Sequence, residues 1–498
     1  MLSLNRKVRS RPRPRLFTFS FFVWDMLFNS FAFIVFWIVV IMILLVGRKI
    51  TNSVRIHNII LLLASYVFYG CFNVSFLLIL IFVTLVNYAT AKYLFKTEKK
   101  SKMILGAGVL LSLFPLLFYK YAAFIVNNIL LLTGNTLPTN SLVEWIMPIG
   151  ISFFTFQALS YTIDIYRRKI TEECSLTEFM LFVAFFPTVL SGPIERARNL
   201  IPQFRTHRRI STGNFTDGIT IFIWGLFKKI VIADRLCAYV NWVYADAESQ
   251  TGASLAIAAI FYSIQIYCDF SGYSDMAWGV AKSLGFDITR NFRFPYFACT
   301  IKEFWRRWHI SLTSWFTEYV YFSLGGNRVR LKVHWIFNIS MVFLLSGIWH
   351  GASWNFLLWG ALHAVYYLIE YACGIHQKGY QISRWLKFPA MLMVFALVTL
   401  AWIFFRIEDF HTAAYIIAKI LVDIMSPIAV GSSAFTFVCN MFLLVLFGIF
   451  EFLMYRRGVI DASGVSRYTS INVAWVVSLL LMLSMFSVST DSFVYFQF

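Results

Sequence analysis

Long apolar stretches separated by short polar ones occupy most of the chain. A helix that crosses a bilayer needs about 20 mostly apolar residues. We predict membrane segments with these apolar cores: Leu27–Val46, Ile146–Ile165, Phe179–Ser191, Ser254–Cys268, Ile336–Trp349, Phe356–Ala372, Phe388–Phe405, Phe435–Tyr455 and Ile471–Met485. The shorter cores need flanking residues to cross the bilayer, or they enter it without crossing.

Two further apolar stretches are too long for one crossing. Ile59–Ala91 is interrupted at Gly70 and Asn73, and Met103–Leu132 is interrupted at Pro115 and Lys120. We expect each stretch to hold two segments or a re-entrant pair. The whole pattern predicts an all-α, polytopic integral membrane protein with about 10 to 13 transmembrane or re-entrant helices.

Composition excludes a soluble globular protein. Hydrophobic residues make up 59% of the 498 positions, charged residues only 13%, and the mean hydropathy is +0.70. A soluble domain has about 25% charged residues, so this chain could not cover a surface that faces water. Aromatic residues reach 19%, which suits helices that face lipid and the aromatic belts at both interfaces.

The net charge of +19 does not require a nucleic-acid partner. Basic residues cluster in short polar stretches such as Lys92–Lys102, Arg196–Arg209 and Arg328–Lys332. The positive-inside rule explains such clusters as cytoplasmic loops beside an anionic lipid surface. The seven cysteines have no CxxC spacing, and the eight histidines show no metal-ligand spacing, so we predict no metal site.

The first 25 residues differ from the rest of the chain. Between Met1 and Asp25, arginines alternate with serine and proline before a Phe-rich stretch. A cleaved signal peptide is one alternative, but no small-residue cleavage site follows. We interpret residues 1–25 as a basic extension that need not be native, since Met26 begins a sequence like a natural start. Residues 26–498 are expected to form one membrane domain.

One stretch, Ile301–Tyr319, predicts an amphipathic helix. At about 100° per residue, Lys302, Arg306, His309 and Thr313 share one face. An interfacial helix explains the basic and aromatic residues. It does not explain an imidazole, so His309 is a candidate functional residue.

His350 is the second candidate, because it lies in the apolar sequence LLSGIWHGASWNFLL. An ionisable side chain at membrane depth is costly and is a functional hypothesis by default. The alternative is a structural histidine at a helix interface, where Gly347 and Gly351 allow close packing. In a dry pocket a neutral histidine can act as a general base.

Two carboxylates, Asp269 and Asp275, interrupt the apolar sequence of Gln265–Gly279. Buried carboxylates need partners, and we expect these among the basic residues from Arg290 onward. We interpret Asp275 as structural and leave the role of Asp269 open. The chain has no GxxxxGK[ST], GxGxxG, GxSxG or HExxH motif, so nothing supports a nucleotide cradle, a soluble-type hydrolase or a zinc protease.

Taken together, these motifs resemble the membrane-bound O-acyltransferase superfamily. Within it they are similar to the bacterial branch of alginate O-acetyltransferases and related polysaccharide and peptidoglycan acetylation proteins. The matching segments are Pro148–Arg167, Ser191–Phe204, Tyr267–Tyr296, Phe304–Arg328 (FWRRWHISLTSWFTEYVYFSLGGNR) and Ser346–Ala364 (SGIWHGASWNFLLWGALHA). The resemblance runs from about Met26 to Arg406.

The resemblance implies a ring of tilted helices around a thin centre, with cavities entering from both sides and a narrow central tunnel between them. It implies that His350 is the catalytic histidine and His309 the second active-site histidine. The acyl donor would be cytoplasmic acetyl-CoA, a substrate and not a bound cofactor. The acetyl group would pass to an extracytoplasmic partner protein and then to a glycan acceptor. The expected location is the bacterial cytoplasmic (inner) membrane.

The mechanism that we expect has three parts. Lys302, Arg306 or Arg307 meets the phosphates of acetyl-CoA as a charge-assisted partner. His350 takes the proton of the acceptor as the acyl carbon is attacked, and His309 orients or polarises the reacting groups. Whether His350 becomes transiently acylated stays open.

Three alternatives stay open at the sequence level. A transporter or flippase of lipid-linked glycan would use the buried Asp and His side chains as a proton relay. A structural scaffold would not need His350 at all. Transfer of D-alanine to teichoic acid is the alternative within the same superfamily, although the motifs are closer to the acetyl branch.

Overall fold

The computed structural model describes residues 26–97, 101–134, 147–208, 210–377, 380–431, 433–458 and 478–479. These residues form helices joined by short loops, and no strand occurs among them. The helices are α1 Phe31–Ile50, α2 Val54–Gly70, α3 Val74–Lys96, α4 Lys102–Leu132, α5 Ile151–Tyr166, α6 Leu176–Ala184, α7 Ala197–Phe204, α8 Thr212–Phe227, α9 Asp234–Ala245, α10 Gly252–Ser283, α11 Ile301–Arg307, α12 Ile310–Trp315, α13 Lys332–His350, α14 Trp354–Ala372, α15 Lys387–Arg406, α16 Phe410–Val422 and α17 Ala434–Arg456. Lys228–Ala233 and Phe316–Tyr321 are π-helical, and Pro295–Phe297 and Arg384–Leu386 are 3₁₀-helical.

Seven helices in the described part of the chain are long and apolar enough to cross a membrane. They are Phe31–Ile50, Val74–Lys96, Lys102–Leu132, Gly252–Ser283, Lys332–His350, Arg384–Arg406 and Ala434–Arg456. The predicted all-α, multi-pass membrane architecture is therefore confirmed. The basic extension over residues 1–25 lies outside the described residues, and so does all but Ser478–Leu479 of the predicted segment Ile471–Met485.

The two long apolar stretches behave differently. Ile59–Ala91 divides as expected, because α2 ends at Gly70 and the Asn73 side chain caps α3 by accepting a hydrogen bond from the Ser75 amide (2.8 Å). The expectation of two segments in Met103–Leu132 is wrong, since α4 is a single helix of 31 residues. Breaking a helix in hydrocarbon would expose several backbone groups, whereas Pro115 removes only one donor.

The predicted single helix over Ile301–Tyr319 is also wrong. Helix α11 ends at Arg307, and His309 has left-handed backbone angles (φ 41°, ψ 55°) before α12 begins. The break is stabilised by distant backbone partners. The Ile310 amide donates to the carbonyl of Asn291 (2.9 Å), and the Arg307 carbonyl accepts from Arg293 (3.0 Å). His309 therefore turns into the interior and leaves the face that it was predicted to share.

The predicted segment Phe179–Ser191 does not cross the membrane. Helix α6 has only 9 residues, whereas a helix that spans a bilayer needs about 20. Every residue from Phe179 to Ser191 except the half-buried Met180 is nevertheless buried, so this stretch enters the protein interior without crossing.

Helix α10 forms the centre of the bundle and packs tightly against α8. A Cβ atom added at Gly225 would lie 2.5 Å from the carbonyl oxygen of Gly272, a distance at which the backbones would have to separate. Small residues permit such close helix contacts in membranes, where apolar burial between helices contributes little. This close packing aligns polar residues of the two helices deep in the bundle.

Candidate active site

His350 lies at the tip of a tight helical hairpin formed by α13 and α14. Helix α13 ends at His350, Gly351 is extended, and Ser353 caps α14 by accepting from the Asn355 amide (3.1 Å). A Cβ atom at Gly347 would lie 2.2 Å from the carbonyl oxygen of Phe356, so this glycine sets the spacing of the hairpin. The hairpin holds the His350 side chain at 3% exposure.

The structure brings His309 to the same centre. Its side chain is 1% exposed, and its ring lies 4.6 Å from that of Phe270 and 6.0 Å from that of Trp349. The Trp349 ring in turn lies 4.9 Å from His350. The two histidines predicted from sequence therefore both pack against one tryptophan, although 41 positions separate them.

A third buried histidine, His363, extends this cluster and was missed by sequence reasoning. The ring of Trp359 lies 5.1 Å from His350 and 5.0 Å from His363. The available signal was the spacing of Trp359 and His363, which are four residues apart on α14 and so share one helix face. An ordered row results, in which each histidine ring contacts the next through an indole: His309, Trp349, His350, Trp359 and His363.

Two large cavities approach this row from opposite ends of the hairpin. The first, here called the basic cavity, has a volume of 710 Å³ and lies where α13 begins and α14 ends. Its polar lining residues include Lys302, Arg306, Thr313, Arg330, Lys332 and His376. It extends along α13 as far as Ser346, one helical turn before His350.

The second, here called the polar cavity, has a volume of 580 Å³ and lies where α13 ends and α14 begins. Its lining includes Lys120, Lys229, Gln265, Asp269, Ser353 and Arg406. A central chamber of 30 Å³ adjoins it and shares Lys120 and Met147 with it. His350 and Trp349 line this chamber, so His350 stands between the two large cavities.

The three basic residues proposed for the acyl donor do not lie together. Lys302 and Arg306 line the basic cavity, but Arg307 does not. The Arg307 guanidinium donates to Glu303 (2.5 Å) and to the Phe294 carbonyl (3.3 Å). Two further cations of the same cavity, Arg330 and Lys332, were not singled out from sequence as donor contacts.

Lys302 occupies a setting that suits an anionic ligand. Partial burial, together with the Arg306 guanidinium, lowers the pKa of Lys302, while Glu370 acts in the opposite direction. A bound phosphate would favour the charged ammonium and so oppose the lowering. Binding of an anion and protonation of Lys302 are therefore coupled.

Asp269 and Asp275 each pair with a lysine that precedes them in the chain, whereas basic residues from Arg290 onward were expected from sequence. Lys229 pairs with Asp269 (2.7 Å), and Lys228 pairs with Asp275 (2.6 Å). The close packing of α8 on α10 brings the π-helical turn after α8 to these carboxylates. Lys229 also contacts Asp234 (2.8 Å), and all three side chains are at most 2% exposed.

Asp275 thus has the structural ion pair that was expected of it. Asp269 combines its ion pair with a place in the wall of the polar cavity. In the described ranges, no group of three or more His, Cys, Asp or Glu side chains could hold a metal ion.

Comparison with known proteins agrees with this architecture. A family model described as "MBOAT, membrane-bound O-acyltransferase family" matches residues 21–408. The chain is 34% identical over 481 residues to a probable alginate O-acetylase AlgI of Pseudomonas putida. These aligned residues cover 91% of this chain and 96% of that protein. It is 34% identical over 386 residues to a peptidoglycan O-acetyltransferase of Helicobacter pylori, covering 71% of each.

A teichoic acid D-alanyltransferase of Bacillus subtilis is less similar, with 26% identity over 331 residues, or 64% of this chain and 81% of that protein. The match over residues 21–408 includes both candidate histidines and the whole α13–α14 hairpin. The resemblance inferred from the motifs is confirmed: this multi-pass membrane protein is an O-acyltransferase and belongs to the membrane-bound O-acyltransferase family.

Proposed function

We propose that this enzyme transfers an acetyl group from cytoplasmic acetyl-CoA across the membrane for O-acetylation of an extracytoplasmic polysaccharide, either an alginate-like exopolysaccharide or peptidoglycan. The observation that carries the proposal is the position of His350 between two cavities at opposite ends of one hairpin. The names of the Pseudomonas putida and Helicobacter pylori relatives support acetyl as the group and a glycan as the acceptor.

The charges at the two ends of the helix bundle support the direction of transfer. Helices begin or end with basic residues on the side of the basic cavity, namely Arg48, Lys282, Lys332, Lys387 and Arg456. At the other end, Arg406 and Lys419 lie among the carboxylates Glu408, Asp409 and Asp423. By the positive-inside rule, this asymmetry favours the cytoplasm for the basic cavity. In a bacterium that membrane would be the cytoplasmic (inner) membrane.

The basic cavity suits the donor. Acetyl-CoA is a substrate that carries several phosphate charges, and Lys302, Arg306 and Arg330 line one cavity where they can meet them. Arg307 has its own partners and is left out of this site. The thioester would extend along α13 past Ser346 toward His350.

The reaction balances through His350. As the acceptor oxygen attacks the acyl carbon, a ring nitrogen of His350 takes the hydroxyl proton, and the carbonyl becomes an oxyanion. The carbon–sulfur bond then breaks, the thiolate takes the proton from His350, and an ester and a free thiol result. His309, across Trp349, orients and polarises the reacting groups. Burial excludes water that would otherwise hydrolyse the thioester.

The first acceptor can be the glycan itself or a hydroxyl of an extracytoplasmic acetyltransferase partner, which would complete the transfer to sugar. Either acceptor would enter through the polar cavity. The lower identity to the Bacillus subtilis relative places D-alanyl transfer second. Transport of a lipid-linked glycan is the alternative function that the experiment must distinguish from acetyl transfer.

The test uses purified protein in liposomes with radiolabelled acetyl-CoA on one side. Alginate oligosaccharide, a peptidoglycan fragment or a candidate partner is placed on the other side. Label is expected in an ester on the acceptor, and His350→Ala should abolish it. His334→Ala is the matched control, because His334 lies exposed on the same helix and lines none of the cavities described above.

Two results would overturn the proposal. Movement of unlabelled oligosaccharide without ester formation would indicate a transporter. Acylation from a D-alanyl carrier thioester, but not from acetyl-CoA, would indicate the teichoic acid reaction.

A further inference from the structure

Lys120 of α4 extends to the end of the helix that carries His350. Its ammonium donates a hydrogen bond to the carbonyl oxygen of Trp349 (2.6 Å) and lies 5.7 Å from the centre of the Trp349 ring. The neighbouring Tyr121 hydroxyl donates to the carbonyl oxygen of Ile348 (2.7 Å). Two consecutive residues of α4 therefore bind the two carbonyls that immediately precede His350.

These bonds have a local structural reason. The last four carbonyl groups of any α-helix have no partner within the helix. Helix α13 ends at His350, and Gly351 is extended, so no left-handed glycine cap is present at this end. A cation at a helix C-terminus is also favoured by the helix dipole. Lys120 and Tyr121 therefore cap α13 from a neighbouring helix.

Capping alone does not account for the position of Lys120. The side chain lines the central chamber together with His350, and it lines the polar cavity as well. Tyr121 lines neither. An ammonium has three N–H donors, of which the Trp349 carbonyl uses one. A lysine at membrane depth is costly, and an uncharged donor such as that of Tyr121 would suffice for a cap.

We propose that Lys120 is a further catalytic residue of the acyl transfer. Its ammonium donates a hydrogen bond to the acyl carbonyl oxygen as negative charge develops there, while the bond to Trp349 holds the ammonium beside His350. No proton leaves Lys120; the hydroxyl proton still passes to His350 and then to the thiolate. This inference rests on the proposed function and assigns the oxyanion contact within it.

The experiment compares Lys120→Met with Tyr121→Phe in the reconstituted assay. Each variant removes one side-chain bond to a terminal carbonyl of α13, so a purely structural role predicts similar effects. Removal of one oxyanion donor typically lowers kcat about 10²- to 10³-fold. We expect that loss for Lys120→Met, with an unchanged KM for acetyl-CoA, and a loss below about 10-fold for Tyr121→Phe.

Conservative variants and chemical rescue give independent readouts. Lys120→Arg should retain more activity than Lys120→Gln, and Lys120→Gln more than Lys120→Met, because donor strength falls in that order. Lys120→Ala should recover activity with added ethylammonium, which can enter through the polar cavity. If the Met variant is not recovered as folded protein, the Gln and Ala variants carry the test.

The inference is overturned if Lys120→Met and Tyr121→Phe lose equal activity. It is also overturned if the activity of the Lys120 variants falls only as far as their melting temperatures fall. His350→Ala separates the two proposals. An inactive His350 variant beside a fully active Lys120→Met would reject only the role of Lys120. A fully active His350→Ala would reject the proposed role of His350, and absence of ester formation by the unmodified protein would reject the proposed function itself.

Discussion

The imidazole of His350 packs edge-on against the indole of Trp359, with ring centres 5.1 Å apart and an interplanar angle of 85°. Both side chains are almost completely buried, Trp359 at 0% exposure and His350 at 3%. An aromatic wall of this kind restricts the rotation of the imidazole through close packing. A histidine held in this way keeps a defined orientation toward the central chamber.

Trp359→Ala tests this wall. Truncating a buried tryptophan typically costs about 3–5 kcal/mol in the free energy of unfolding, and the cavity would let His350 rotate. We expect that destabilisation, measured by chemical unfolding in detergent micelles, and a lower kcat in the variant that remains folded. Trp354→Ala is the control, because Trp354 is 63% exposed on the same helix. Equal effects of the two changes would contradict a positioning role for Trp359.

The spacing of the α13–α14 hairpin can be tested at Gly347. A methyl group there would meet the backbone oxygen of Phe356, which cannot rotate away. Gly347→Ala should therefore destabilise the protein by about 1–3 kcal/mol and displace His350. Gly448→Ala places the same methyl group in open space on α17, where alanine should be neutral or stabilising. Unfolding of both variants in detergent measures the difference, and a harmless Gly347→Ala would refute the close contact.

The donor site predicts a difference between neighbouring arginines. Arg306→Ala should raise the KM for acetyl-CoA about 10-fold or more, because a hydrogen bond to a charged group contributes about 1.5–3 kcal/mol. The kcat should change little, since the phosphates lie far from the reacting carbon. Arg307→Ala should leave the KM unchanged, because Arg307 pairs with Glu303 outside the basic cavity.

Steady-state kinetics with varied acetyl-CoA distinguishes the two arginine variants. Arg384→Ala, at an exposed position on the same end of the bundle, controls for a general loss of positive charge. If the KM for acetyl-CoA rises in Arg307→Ala and stays unchanged in Arg306→Ala, the donor phosphates bind outside the basic cavity.

The buried ion cluster around Lys229 predicts a large cost for its removal. Lys229→Met would leave the carboxylates of Asp234 and Asp269 buried without their shared cation. Breaking a buried pair in this way typically costs about 3–5 kcal/mol. Lys282→Met breaks the more exposed pair with Asp217 (3.4 Å) and should cost less than about 1 kcal/mol. Chemical unfolding in detergent compares them, and a mild effect of Lys229→Met would show that the cluster is not the buried network seen here.

Local sequence was enough for features that depend on local physics. The apolar density alone identifies a polytopic membrane protein, because a bilayer is the only solvent that accepts so many apolar side chains. Gly70 and Asn73 mark a helix boundary because a small residue and a capping side chain act within a few positions. His350 stands out because an ionisable group is costly in any apolar segment. The basic stretches predict cytoplasmic loops, because the positive-inside rule depends only on local charge.

Features that depend on distant partners needed the tertiary structure. The helix break at His309 comes from backbone bonds to Asn291 and Arg293, which no periodicity in residues 301–319 reveals. Asp269 pairs with a lysine 40 positions earlier, because close packing of α8 on α10 decides which charges meet. The buried ammonium of Lys120 has a partner only because the tertiary structure brings the Trp349 carbonyl to it.

The sequence by itself determined the class of the protein, the family to which its motifs point and the two candidate histidines. Only the tertiary structure decided that these histidines meet at Trp349, that His363 and Lys120 join them, and that Arg307 lies outside the basic cavity. The physical reason is that membrane insertion and local caps follow from the chemistry of neighbouring residues. A catalytic centre is instead assembled from helices far apart in the chain, whose close packing determines which of the buried polar groups come together.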